Sequence, residues 1–146
     1  METATESDVR ALIRGLTDGL WVDASYQGHG KYIGISDELL VLPTREQVEE
    51  FLNFNRVHLN SSGQFSDCDK FSKLLVSQSV KWIDKDPEAD VYWCFGTAWG
   101  EFSWMDGFHA CNFFIDDQRN LWWVEPRDNS IHHLSECTGN LTLMVV

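Results

Sequence analysis

Basic side chains are scarce in this chain: 11 Lys and Arg stand against 23 Asp and Glu, a formal net charge of -12 over 146 residues. Phosphate backbones and anionic membrane surfaces attract cations, so the charge balance excludes a nucleic acid or a membrane as the main partner. Long apolar runs are also missing, and none approaches the roughly 20 residues of a membrane span. The first residues, Met-Glu-Thr-Ala-Thr-Glu-Ser-Asp, lack the basic start and apolar stretch of a secretory leader. A soluble, cytoplasmic protein is expected. The four cysteines, 68, 94, 111 and 137, include no C-x-x-C pair, which removes zinc-knuckle and thioredoxin-type readings. Without a secretion signal they are expected as reduced thiols, three of them small buried apolar residues.

What is present is an ordinary globular balance, 43% hydrophobic and 23% charged, at a length suited to a single domain spanning 1–146. Aromatic residues crowd the second half. Ser7-Asp8 can cap a first helix within residues 1–22, with Val9, Leu12, Ile13, Leu16 and Leu20 on its apolar face. Tyr32–Ile35 and Leu39–Leu42 read as two short strands forming a hairpin. Thr44 and Gln47 have capping-box spacing for a second helix that turns Val48, Phe51 and Leu52 inward. Asp84–Asp90 is an acidic turn.

A third helix is expected from Ser66 to Trp82. Ser66 and Asp69 form its start signal, and Phe71, Leu74, Leu75, Gln78 and Trp82 recur at helical spacing. Cys68 falls in the first turn on that face. Unpaired backbone N–H groups and the positive end of the helix dipole favour a thiolate there. Beyond residue 90 the period becomes that of strands. Val91–Trp99 and Phe108–Ile115 are rich in aromatic and β-branched residues, and Asp116–Asn120 separates Asn112–Ile115 from Leu121–Val124 as a hairpin loop would. Ile131–Leu134 and Leu141–Val146 are shorter strands. Helices first and an antiparallel sheet later make the expected class α+β.

A cysteine nucleophile needs a base and a group that orients the base. Of the five histidines, His29 and His58 lie in or near loops without an evident partner. His132 and His133 are adjacent and point to opposite faces of a strand. His109 opens an apolar strand. The hairpin brings the start of that strand to the end of the next, where Glu125 precedes Pro126, within side-chain reach. Glu125 can then hold the imidazole in one tautomer.

Leu-Pro-Thr at 42–44, Asp-Cys-Asp at 67–69, His-Ala-Cys-Asn at 109–112 and Glu-Pro at 125–126 follow one another in this order. The pattern resembles the papain-like domain at the C-terminus of certain fungal agglutinins and in related small bacterial and phage proteins. The resemblance covers residues 40–134. It implies a papain-like α+β fold, a nucleophile-bearing helix packed on an antiparallel sheet. It also implies a thiol-dependent peptidase or amidase acting on a peptide or protein substrate, with Cys68 as nucleophile, His109 as base and Glu125 as orienting acid. The family is calcium-dependent. Here Lys70 and Arg127 put positive charge where its site draws oxygen ligands, so no metal and no cofactor is expected. The sugar-binding trefoil of the agglutinins is absent.

Other residues have two readings each. Gln64 is an oxyanion-hole donor or a polar loop residue, and Asn112 is a second orienter of His109, although alternation sets it on the opposite face. Trp99 and Trp104 are candidates for an exposed rim; core packing accounts for much of the remaining aromatic run. Asp116-Asp117 binds a cation or simply builds the loop. The alternative to an enzyme is a non-catalytic binding module on the same scaffold, of the kind that sequesters a host partner.

Overall fold

The computed structural model describes residues 1–23, 31–56, 68–83 and 91–146. Gln64, His29, His58, Ser66 and the acidic stretch at 84–90 lie outside the described residues. The chain runs through β1 (Glu2–Thr5), α1 (Glu6–Leu16), β2 (Tyr32–Gly34), β3 (Leu39–Leu42), α2 (Arg45–Phe54) and α3 (Cys68–Ile83). It continues through β4 (Tyr92–Trp93), β5 (Phe95–Phe102), β6 (Met105–Ile115), β7 (Leu121–Glu125), β8 (Ser130–His133) and β9 (Cys137–Val145).

The strands form two sheets. One is six-stranded, in the order β2-β9-β5-β6-β7-β8, and the other is three-stranded, β1-β3-β4. Successive aromatic residues on β6 explain the layering. Phe113 points into a core with Val9 and Ile13 of α1, Trp123 and Leu141. Phe114 points to the other side, against Phe51 of α2 and Leu75 of α3. Both are fully buried, so the large sheet is covered on both faces and β6 is buried without a break from His109 to Ile115. Burying each such side chain contributes about 2–3 kcal/mol.

Helix starts follow their sequence signals. Thr44 and Gln47 form a reciprocal capping box on α2. On α1 the cap is Thr5 with Asp8, two residues before the expected Ser7, because Glu2–Thr5 is already a strand. That strand pairs with β3, with Thr3 opposite Val41. The hairpin expected between Tyr32–Ile35 and Leu39–Leu42 is therefore absent. Instead β2 runs parallel to β9, and β3 lies between β1 and β4. The single strand expected at 91–99 is two strands in different sheets. The switch falls at Cys94, whose N–H donates to Val41 at 2.7 Å while its carbonyl accepts from Ile115 at 3.2 Å.

The expected fold class, a papain-like α+β domain, needs correction. Strand outweighs helix, 42% against 33% of the described residues, and the six-stranded sheet is mixed and covered on both faces. Short alternating segments such as Glu2–Thr5 carry too few apolar residues to register as strands until a partner strand covers them.

Helix α3 contributes an unexpected face to the sheet. Leu74 is 48% exposed, while Ser72 and Ser79 are buried beside Phe71 and Leu75. Ser72 Oγ shares a hydrogen bond with Thr97 Oγ1 of β5 (2.8 Å) and donates to the Cys111 carbonyl of β6 (3.2 Å). A small polar residue lets the helix approach the strands closely. Asn112 ties the same junction: its Nδ2 donates to the carbonyls of Ser72 and Gly96, each at 3.0 Å. Gly96 has no room for a side chain, since a Cβ there would collide with the Val145 carbonyl of β9.

Candidate functional site

The close approach of α3 to β6 sets Cys68, the first residue of α3 as described, beside the start of the apolar part of β6. His109 forms a hydrogen bond with the Cys68 thiol, and the backbone N–H groups of Ala110 and Asp69 also serve the sulfur. Behind His109 stands Glu125 at the end of β7. The ladder between β6 and β7 runs only from Asn112↔Val124 to Ile115↔Leu121. Past it the strands part, and the imidazole enters the gap. Its Nε2 lies 2.5 Å from Glu125 Oε2, so the nitrogen facing the sulfur is Nδ1.

Glu125 is buried to 3% exposure and His109 to 4%. A buried carboxylate needs donors, and this one has three. Besides His109, Trp104 Nε1–H donates to the same Oε2 at 3.0 Å, and the Arg127 backbone N–H donates to Oε1 at 3.1 Å. The Glu125 carbonyl accepts from the N–H of Asn129 at 2.7 Å, closing a turn that keeps the side chain in place.

The charges of the pair are shifted in opposite senses. The hydrogen bond from His109 lowers the Cys68 thiol; burial works against it, and the two backbone N–H groups add to it. Burial is the largest influence on His109 and pulls it down. The hydrogen bonds to Cys68 and Glu125 together outweigh burial and raise it to about 9. The two shifts favour the ionised forms of both partners, a thiolate beside an imidazolium. The other thiols go the other way: burial pushes Cys94 up to about 12 and Cys137 up to about 11, and carries Cys111 well above its usual range. All four cysteines are free thiols.

Cys68, His109 and Glu125 are thus brought together. Asn112 is not: its amide is engaged with Ser72 and Gly96. Trp104, read as an exposed rim residue, has its N–H on Glu125 and its ring stacked on His132. Sequence reasoning missed this role. The available signal was that a half-buried indole N–H requires an acceptor. Trp99 stacks on Phe108, ring centroids 5.7 Å apart. Asp116 builds the hairpin loop, accepting from the N–H groups of Gln118 and Asn120 and from Trp122 Nε1. Among the described residues no cluster of three or more metal-ligating side chains occurs. No helix among them is long and apolar enough to cross a membrane.

No protein-family model and no curated protein matches the sequence. Solved structures do match. One, described as "PSL1a-E64 complex", superposes with a TM-score of 0.76 at 17% identity, over 99% of this chain and 50% of that chain. Another is Polyporus squamosus lectin bound to the human-type influenza-binding epitope Neu5Aca2-6Galb1-4GlcNAc, with a TM-score of 0.73 at 17% identity, over 99% of this chain and 49% of that one. The fold is shared with lectin structures. The chain spans about half the length of these neighbours.

These neighbours overturn the expected identification as a papain-like cysteine peptidase, and with it the thiol-hydrolase function, the peptide substrate and the papain-like binding module. Short motifs spaced along a sequence marked the Cys–His–Glu arrangement but carried no information about which proteins share the whole chain trace. At 17% identity the shared trace is a statement about fold and transfers no activity.

Proposed function

We propose that Cys68, His109 and Glu125 form a nucleophilic thiol centre that captures an electrophilic ligand covalently. The observation that carries this reading is the hydrogen-bonded row from the Cys68 thiol through His109 to the buried Glu125 carboxylate, 2.5 Å from the imidazole. Such a row supplies the ionised sulfur, the nucleophilic form of cysteine. The thiolate electron pair forms a sulfur–carbon bond, the bond from that carbon to its leaving atom breaks with its electrons on the leaving atom, and the His109 Nδ1 proton passes to that atom. Capture is the extent of the reading; hydrolysis of a peptide or amide bond is no part of it. A cytoplasmic setting, which keeps thiols reduced, suits it.

Peptide mapping after a brief, substoichiometric exposure to iodoacetamide at pH 7 tests it. Cys68 should carry nearly all of the label. Labelling spread evenly over Cys94, Cys111 and Cys137, or absent from Cys68, would contradict it. E64, the compound in one neighbour's description, serves as a second probe.

A second reading, a glycan partner, is favoured by a cleft of about 310 Å³ between α2 and α3, lined by Phe54, Asn55, Gln78, Lys81 and Trp82. Phe54 is 69% exposed and its ring stacks on Trp82 at 5.7 Å. Aromatic faces receive the C–H face of a pyranose, amides serve its hydroxyls, and an ammonium suits an acidic sugar. One neighbour is bound to a sialylated epitope. Adding that trisaccharide should shift the amide resonances of α2 and α3, and Phe54→Ala should remove the shifts. No shift in the wild type would exclude this cleft.

A further inference from the structure

We propose that His132, anchored on both ring edges, clamps Trp104 against Glu125, so that these two rings are positioning residues for the thiol centre. The clamp rests on the thiol reading above and adds a second imidazole to it. The rings of His132 and Trp104 lie 3.8 Å apart and 11° from parallel, closer than the other aromatic stacks among the described residues. Trp104 Nε1–H ends on Glu125 Oε2, the oxygen that His109 Nε2 also reaches. An indole free to tilt would leave that oxygen with one donor fewer and open it to water.

His132 is anchored on both ring edges. Ser130 Oγ donates to Asp128 Oδ1 at 2.6 Å and lies 2.7 Å from His132 Nε2. On the other edge Nδ1 is 3.1 Å from Glu136 Oε1. With both edges held, the ring face lies flat over the indole of Trp104. Glu136 also accepts from the His133 N–H at 2.9 Å, which fixes the carboxylate on which the clamp depends.

The charged groups around His132 are Glu136 on one edge, Asp128 behind Ser130 on the other, and Glu125 across the indole. What reaches His109 is the fixed position of Trp104 and Glu125.

The test uses the intact protein and follows the ¹H–¹³C resonance of His109 through a pH titration, in wild type, Trp104→Phe, His132→Leu and His132→Gln. Trp104→Phe keeps a ring and removes the donor; His132→Leu keeps bulk and removes the flat ring and both of its hydrogen-bonding edges. Both should lower the His109 midpoint by about half a unit or more, a factor of about three in its proton equilibrium. His132→Gln, which retains hydrogen-bonding edges, should restore part of the shift. Cys68 alkylation should slow in the first two variants at pH 7 and match wild type at pH 10, where the thiol is ionised without help. An unmoved His109 midpoint in His132→Leu would overturn the clamp, as would an equal loss of reactivity at both pH values, the mark of general damage. The His109 midpoint is read even if Cys68 proves unreactive in wild type, so failure of the thiol reading stays distinct from failure of the clamp.

Discussion

Nε2 of His109 lies 2.5 Å from Oε2 of Glu125, although neither residue is the other's partner in a strand ladder. Glu125 pairs with Ser130 of β8, and His109 with Gly100 of β5. The ladder between β6 and β7 ends at Asn112 and Val124, and beyond it His109 and Trp104 share Oε2 of Glu125.

His109 is raised and Cys68 lowered, and the effect on stability has two edges. The raised value of His109 adds stability that is complete below about 6.5 and lost as pH rises through about 9. The lowered value of Cys68 adds stability present above about 9 and lost as pH falls through that lowered value. Between the edges the two proton balances oppose each other and the gain is level. For His109 it is on the order of 3 kcal/mol at most. Urea midpoints of wild type and a Cys68→Ser, His109→Gln double variant should differ by a nearly constant amount across neutral pH. A gap that widens steadily with pH would show that the pair is not ionised.

Glu125→Gln removes the charge and leaves a single acceptor oxygen for donors that now meet two, those of Trp104, Arg127 and His109. The His109 titration should fall from about 9 towards the ordinary imidazole range. Cys68 alkylation between about pH 7 and 8 should slow, because His109 in the variant has lost the proton that lowers the thiol. Glu125→Ala, which leaves the same donors with no acceptor, should lose at least about 2 kcal/mol of stability besides. Unchanged reactivity in Glu125→Gln would remove the carboxylate from the site.

Asn112 serves the site without touching it. Asn112→Ala deletes two buried hydrogen bonds, one to α3 and one to β5, and it should cost about 2–4 kcal/mol, read as a lower urea midpoint. Because the helix carrying Cys68 loses its tie to Asn112 of β6, iodoacetamide selectivity for Cys68 should also decline. Retained selectivity in a destabilised protein would show that the α3 head is held elsewhere.

Much of this arrangement was legible in the sequence where a local signal and a long-range one agreed. The Thr44 and Gln47 box and the 116–120 loop are written in adjacent residues, and the loop alone carries Glu125 towards His109. Pairing between distant segments left no such trace. Nothing in Glu2–Thr5 announces β3 as its partner, and the change of sheet at Cys94 falls inside one unbroken run of strand-forming residues. Ser72 and Ser79 look like exposed helix positions; they are inward because a close helix–strand approach needs small side chains. Trp104 looked like a rim residue because its acceptor is 21 positions away in sequence.

The most direct test of the central claim is the ultraviolet absorbance of the thiolate near 240 nm, followed from pH 4 to 10 as the difference between wild type and Cys68→Ser. The ion pair predicts a thiolate signal already present at neutral pH, with its midpoint below the ordinary thiol value of about 8.5. In His109→Phe the midpoint should move up past that value. A wild-type difference spectrum that rises only at about pH 9 or above, unchanged by His109→Phe, would contradict the claim that Cys68 is held as a thiolate.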